Sequence, residues 1–243
     1  MDVAEALAAS LESWAQFPVH ASERRIVPIG SLVREVGYLS GEAKLAFAQK
    51  RLRVDPSVSL DAVASLVAEI GPLATETEQS LAVRSAVRVL YPFNTDRGPQ
   101  ELRCWSLQVD DSLGQVTVID IEERERLWFP PDARSRGGGT ATYLDADCSR
   151  LRYRFVGVPR VYADYDGVDL ATSDAAVAVL PRVHYAVSKD QPMRSYGEIR
   201  EVEIHLAEPV GARVLVTDTG YPIEVLTPDH ASPTPENGSE LDP

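Results

Sequence analysis

The sequence predicts an α+β protein. A helical unit spans residues 1–92, a mainly antiparallel β sandwich, roll or barrel spans 93–227, and a disordered acidic tail spans 228–243. Three observations predict this. Up to Pro92, apolar residues recur at three- and four-residue steps, the period of a helix stripe. Beyond it the period becomes two, and Gly, Pro and Asp clusters separate short alternating runs. From Thr227 onward no basic residue and one large apolar side chain, Leu241, remain, so burial cannot offset the entropy of ordering.

The first helix is expected over 2–17. Val3, Leu7, Leu11, Trp14 and Phe17 share one stripe, and Pro18 ends it. Such a stripe must dock on the body of the protein or on a partner. After a connector, Ser31 is placed to cap a short helix to about residue 39, and Ser40-Gly41 opens another through about 53. Ser59 caps the next, whose Leu60, Val63, Leu66, Val67 and Ile70 align, and Gly71-Pro72 stops it. Thr75-x-x-Glu78 matches a capping box and opens a helix carrying Leu81, Val87 and Leu90 inward. Helices 40–53 and 59–70 form an ordinary helical hairpin in this reading. The second lacks the basic and amide side chains with which a recognition helix reads base edges.

Residues 93–100 read as a turn-rich linker. Strands are then expected over 102–109, 115–121, 126–129, 140–144, 150–155, 160–165, 176–187, 198–206, 213–217 and 223–226. In the fifth of these, Arg150, Arg152 and Arg154 alternate with Leu151, Tyr153 and Phe155, so one face is apolar and the other carries three guanidiniums. In strand 198–206, Glu201, Glu203 and His205 point outward opposite Val202, Ile204 and Leu206. An arginine ladder beside a glutamate ladder is ordinary cross-strand pairing.

Composition narrows the partners. Net charge is −13 over 243 residues, which disfavours nucleic acid and anionic membranes as partners. Arg outnumbers Lys 21 to 3, which suggests GC-rich codons and a bacterial source. Cys104 and Cys148 have no CxxC spacing, which excludes a zinc knuckle and a disulfide scaffold and leaves two free thiols in strands. Neither a signal-peptide pattern nor an apolar run near the ~20 residues of a membrane span is present, so a cytoplasmic protein is expected.

Four groups of residues could carry function. Arg134, Arg136, Arg150, Arg152 and Arg154 are candidates for binding a small anion, because guanidiniums donate in pairs to phosphate or carboxylate. Asp164, Asp166 and Asp169 are weak metal candidates, lacking the closing glutamate of a calcium loop, and Asp166-Gly167 also suits a tight turn. His184 or His205 beside Asp164 or Asp166 would permit acid–base chemistry. Trp14, Trp128 and Phe129 are interface candidates, since Trp128-Phe129-Pro130-Pro131 cannot turn every side chain inward on one strand. Asp147-x-Ser149, downstream of Arg134 and Arg136, resembles the arginine and D/N-x-S-x-x-G pieces of a PilZ barrel, which implies a cyclic dinucleotide ligand. The chain departs from that motif at Arg152, where the motif has glycine, and no family membership is drawn from it.

No nucleophile elbow, metalloprotease helix, P-loop or dinucleotide fingerprint occurs. The leading expectation is therefore an interaction or accessory protein, non-catalytic and without a cofactor. It would act through its first helix and an apolar β surface on a partner protein or a second copy. A small-anion sensor at the arginine row is the alternative, and a hydrolase built on a His/Asp pair the second.

Overall fold

A computed structural model of the chain describes residues 2–35, 37–74, 80–129, 138–186 and 197–226. In chain order the elements are α1 (Val3–Ser13), β1 (Val33–Arg34), α2 (Gly41–Ala48), β2 (Leu52–Val54), α3 (Leu60–Ile70), β3 (Leu81–Thr95), β4 (Gly98–Val109), β5 (Gln115–Ile119) and α4 (Ile121–Arg124). There follow β6 (Thr140–Tyr143), β7 (Arg150–Gly157), β8 (Ala163–Thr172), β9 (Ala176–Tyr185), β10 (Glu198–His205), β11 (Val214–Thr217) and β12 (Glu224–Leu226). Few helices and many strands in mixed sheets make this an α+β fold, as expected. Residue contacts divide it into two compact units. The first comprises Met1–Val19, Asp96–Gly98 and Pro131–Pro243, and the second His20–Thr95 and Pro99–Pro130.

The second unit is built on one sheet of order β1-β5-β4-β3-β2. Alternation along β4 sends Trp105, Leu107 and Val109 to one face and Leu102 and Cys104 to the other. Phe47 of α2 and Leu66 of α3 complete the first core, and Ile26, Phe93 and Leu127 the second. Ser59 caps α3 by accepting from the Ala62 N–H, and Ser40 caps α2 by accepting from the Ala43 N–H.

Several expected elements differ. Residues 81–95 are strand, not helix: at odd positions Val83, Val87, Val89, Tyr91 and Phe93 form a β-branched and aromatic run of period two. That run outweighs the 3.6-residue spacing of Leu81, Val87 and Leu90. The break expected at 92/93 falls inside this strand, where Phe93 is 1% exposed. The capping box at 75–78 lies outside the described residues. The helix expected over 31–39 is replaced by β1 and a bridge at Tyr38. The one expected over 40–53 ends at Ala48, and β2 then pairs in parallel with β3. With β2 between them, α2 and α3 are not a hairpin. Residues 126–129 supply a single bridge, Leu127 to Ile26, after the short α4.

The first unit has two sheets, β10-β7-β6-β12 and β11-β9-β8. Its strands lie close to their expected bounds except β8, which runs Ala163–Thr172 where a strand over 160–165 was expected. β10 pairs antiparallel with β7, and β11–β9 and β12–β6 pair in parallel. Leu151, Tyr153, Val202 and Ile204 from one sheet meet Val177, Val179 and Leu215 from the other in one core. Helix α1 lies on β8, β9 and β11 and buries Leu7, and Trp14 and Phe17, just beyond its end, are buried as well. The segment Asp166-Gly167 is a bulge inside β8, not a turn. Two residues oppose Arg182 between the Tyr165–Val183 and Val168–Pro181 pairs, and Gly167 takes φ +139°. The stretch 228–243 lies outside the described residues. No helix among those described is long and apolar enough to cross a membrane.

Candidate ligand-binding cleft

A cavity of about 770 Å³ in the first unit opens between its two sheets. Strand alternation supplies the wall. Tyr153 and Phe155 leave β7 on the same face and stack with centroids 5.0 Å apart, and Tyr165 of β8 meets Phe155 edge-on at 5.0 Å. Leu180, Pro181 and Val183 of β9 add apolar surface. The rings are fixed by hydrogen bonds: the Tyr153 hydroxyl donates to the Gly138 carbonyl, and the Tyr165 hydroxyl accepts from the Val158 N–H at 2.9 Å. Behind Tyr165, the buried Arg200 guanidinium lies 4.9 Å from the ring centroid and donates to the Val158 and Ala163 carbonyls. Glycine is required at 157, because a Cβ there would come within 2.7 Å of the Tyr165 hydroxyl.

The polar end of the cleft is the turn Thr217–Asp218–Thr219, between β11 and β12. Thr217 Oγ1 accepts from the N–H groups of Thr219 and Tyr221, which shapes the turn. Helix α1 anchors it from behind. Ser10 Oγ donates to the Thr217 carbonyl at 2.7 Å, and Trp14 Nε1 donates to the Gly220 carbonyl at 3.0 Å. Asp218 is half-buried and has no ion-pair partner among the described residues. Burial pushes its carboxyl above the usual carboxylate range, opposed by the backbone N–H groups of Asp218 and Thr219. Burial also raises the Tyr153 phenol, and the Asp218 charge adds to that, which places the two groups within electrostatic reach.

The residues singled out from the sequence lie elsewhere or play other parts. Trp14 is 0% exposed, so its surface is covered by its own chain and offers nothing to a partner. Trp128 is half-buried in the second unit, and Phe129 is 41% exposed with the Arg124 guanidinium 5.5 Å from its ring centroid. Pro130, Pro131, Arg134 and Arg136 lie outside the described residues. The three remaining arginines form a ladder along the wet face of β7. Arg154 Nε meets Glu201 at 3.0 Å, Arg150 Nε meets Asp145 at 3.1 Å, and Arg152 stands opposite Glu203 in register. Of these three only Arg154 reaches the cleft, and its charge is met by Glu201.

The three aspartates do not converge. Asp164 lies 3.5 Å from Arg200 and Asp169 pairs in register with Leu180, while Asp166 turns to His184. No group of three or more His, Cys, Asp or Glu that could hold a metal is found among the described residues. The bulge does bring one expected pair together, His184 Nε2 and Asp166 Oδ2 at 2.9 Å. Both are largely exposed, and Arg182 Nε lies 3.5 Å from the same carboxylate. Asp166, Arg182, Glu203 and His205 line a smaller depression of about 480 Å³.

Sequence reading missed Phe155, Tyr165 and Asp218 as a group. Each carried a local signal: strand alternation for Phe155, an acidic aromatic run for Tyr165, and the Thr219-Gly220 turn for Asp218. Only strand pairing assembles them. No protein-family model, no curated protein and no solved structure matches this chain.

Proposed function

We propose that this protein works by binding, and that the cleft of its first unit receives a side chain of a partner protein. The observation that carries the reading is the cleft itself. Its volume falls in the ~300–1,000 Å³ range of ligand sites, and an aromatic wall faces a few polar groups at one end. Val156 and Ile199, cross-strand neighbours 76% and 60% exposed, add apolar surface to its lining. The first helix takes part indirectly: it is the brace of the Asp218 turn, not a docking surface. The test is a fragment screen by NMR on the isotope-labelled chain. Shift changes confined to Gly139, Phe155, Gly157, Leu180 and Thr219 support the reading. Phe155→Ala is then expected to weaken the best fragment about tenfold, the ~1.4 kcal/mol of one lost aromatic contact. Scattered or absent shifts would end it.

The contact between His184 and Asp166 favours one second reading, a hydrolase in which Asp166 orients the imidazole as a general base. Turnover of a panel of activated esters, lost in His184→Ala, would support it. Equal background rates for both chains would dismiss it.

A further inference from the structure

The geometry points to a lysine side chain, on a basic segment of a partner protein, as what the cleft receives. This inference rests on the binding reading above and adds the chemistry of the occupant. Three observations carry it. The aromatic and aliphatic wall of Phe155, Leu180 and Val183 is a surface for a methylene shaft, not for a charged group. The polar end presents one carboxylate, Asp218, which has no cationic partner among the described residues although it is half-buried. A carboxylate removed from water in this way is short of a counter-charge, and an arriving ammonium supplies one. Finally, this unit is net acidic, with 22 Asp and Glu against 12 Lys and Arg, so long-range attraction favours a basic partner.

The two cations found near the cleft among the described residues do not oppose this. Arg154 is held by Glu201 on the outer face of β7. Arg200 is buried behind Tyr165, where its charge discourages a second cation over that ring and directs an incoming ammonium to the Asp218 end. Burial raises the Asp218 carboxyl when the cleft is empty. A bound ammonium favours its ionised form and so reverses that tendency.

The experiment uses the full chain on an array of hexapeptides whose central residue is lysine, arginine, norleucine or glutamate, with free butylammonium as a separate arm. Norleucine keeps the shaft of lysine and removes the charge. Lysine peptides are expected to bind at least tenfold more tightly than their norleucine counterparts. Asp218→Asn should erase that difference, and the preference should shrink as salt rises. Equal binding of lysine and norleucine peptides overturns the charge assignment but leaves the cleft as an apolar binding site. Butylammonium binding without any peptide binding overturns the partner-protein assignment in favour of a small amine. Binding of none of these probes overturns the inference and the binding reading together. The folded state of Asp218→Asn is checked by its thermal midpoint, and Asp218→Glu, which keeps the charge on a longer arm, should restore part of the preference.

Discussion

Cys104 lies on β4 at 0% exposure, with the carboxylates of Glu123 and Asp120 close by. Burial first, and then those two charges, push its thiol up to about 12. At pH 8 a thiol reagent should therefore titrate one cysteine, the half-buried Cys148, and reach Cys104 only after denaturant unfolds the chain. Two equally fast thiols would contradict the buried placement. Glu123 shows the opposite balance. Its burial alone would raise the carboxyl, but hydrogen bonds and charge from Arg103 and Arg126 outweigh this and hold it below the usual range. Glu123→Gln would remove the carboxylate both guanidiniums share, leaving, among the described residues, Arg103 only Glu122 at 3.6 Å and Arg126 only Glu23 at 3.4 Å. Because both are half exposed, the cost should be about 2 kcal/mol, less than for a fully buried pair, and a shifted denaturant midpoint would report it.

At the scale of elements, legibility followed the kind of signal. Helix α3 could be read because a cap, a clean stripe and a Gly stop agree, and Ser59→Ala is expected to cost about 1 kcal/mol with an unchanged denaturant slope. A loss near zero would mean that packing alone holds the end of the helix. Strands β7 and β10 were legible down to their faces, because alternation of Arg or Glu with apolar residues admits one register. β3 was not: the Ala, Val and Leu residues around Arg84 and Arg88 fit either period, and pairing with β4 and β2 decided the matter. The parallel pairings of β2, β11 and β12 were invisible for a related reason. Each is three or four residues long, and its partner lies far away in the sequence. Of the candidate sites, the arginine ladder was visible because it belongs to one strand, whereas the cleft draws on six separate stretches and leaves no local trace.

For the whole molecule, the shifted carboxylates make stability depend on pH in a definite direction. Glu69, Asp218 and Glu224 are pushed up, in each case mainly by burial. Their folded forms bind protons more readily than their unfolded forms, so acidifying from neutrality relieves a cost. Glu123 and Asp145 are held down by their hydrogen-bonding partners; what they contribute is present above the ordinary carboxylate value, roughly 4, and disappears as pH falls through their lowered values. Urea midpoints taken from pH 7 to pH 3 should therefore rise before they fall, with a maximum on the acid side of neutrality and above roughly pH 4. A steady decline from pH 7 would refute the burial of the first three groups. The order of the two units along the chain has a further effect, during synthesis. The Trp14 indole and the Gly220 carbonyl it binds are 206 positions apart, and the second unit is made almost entirely in the interval between them. At ~5–20 residues per second, the ribosome needs on the order of 10–40 s to cross that gap. Until β8, β9 and β11 emerge, the apolar stripe of α1 has no strands to lie on, whereas the second unit has every strand of its sheet once residue 119 has been made. Helix α1, made before the second unit, is thus sheltered after it, and the nascent chain shows chaperones a tryptophan that the folded chain hides.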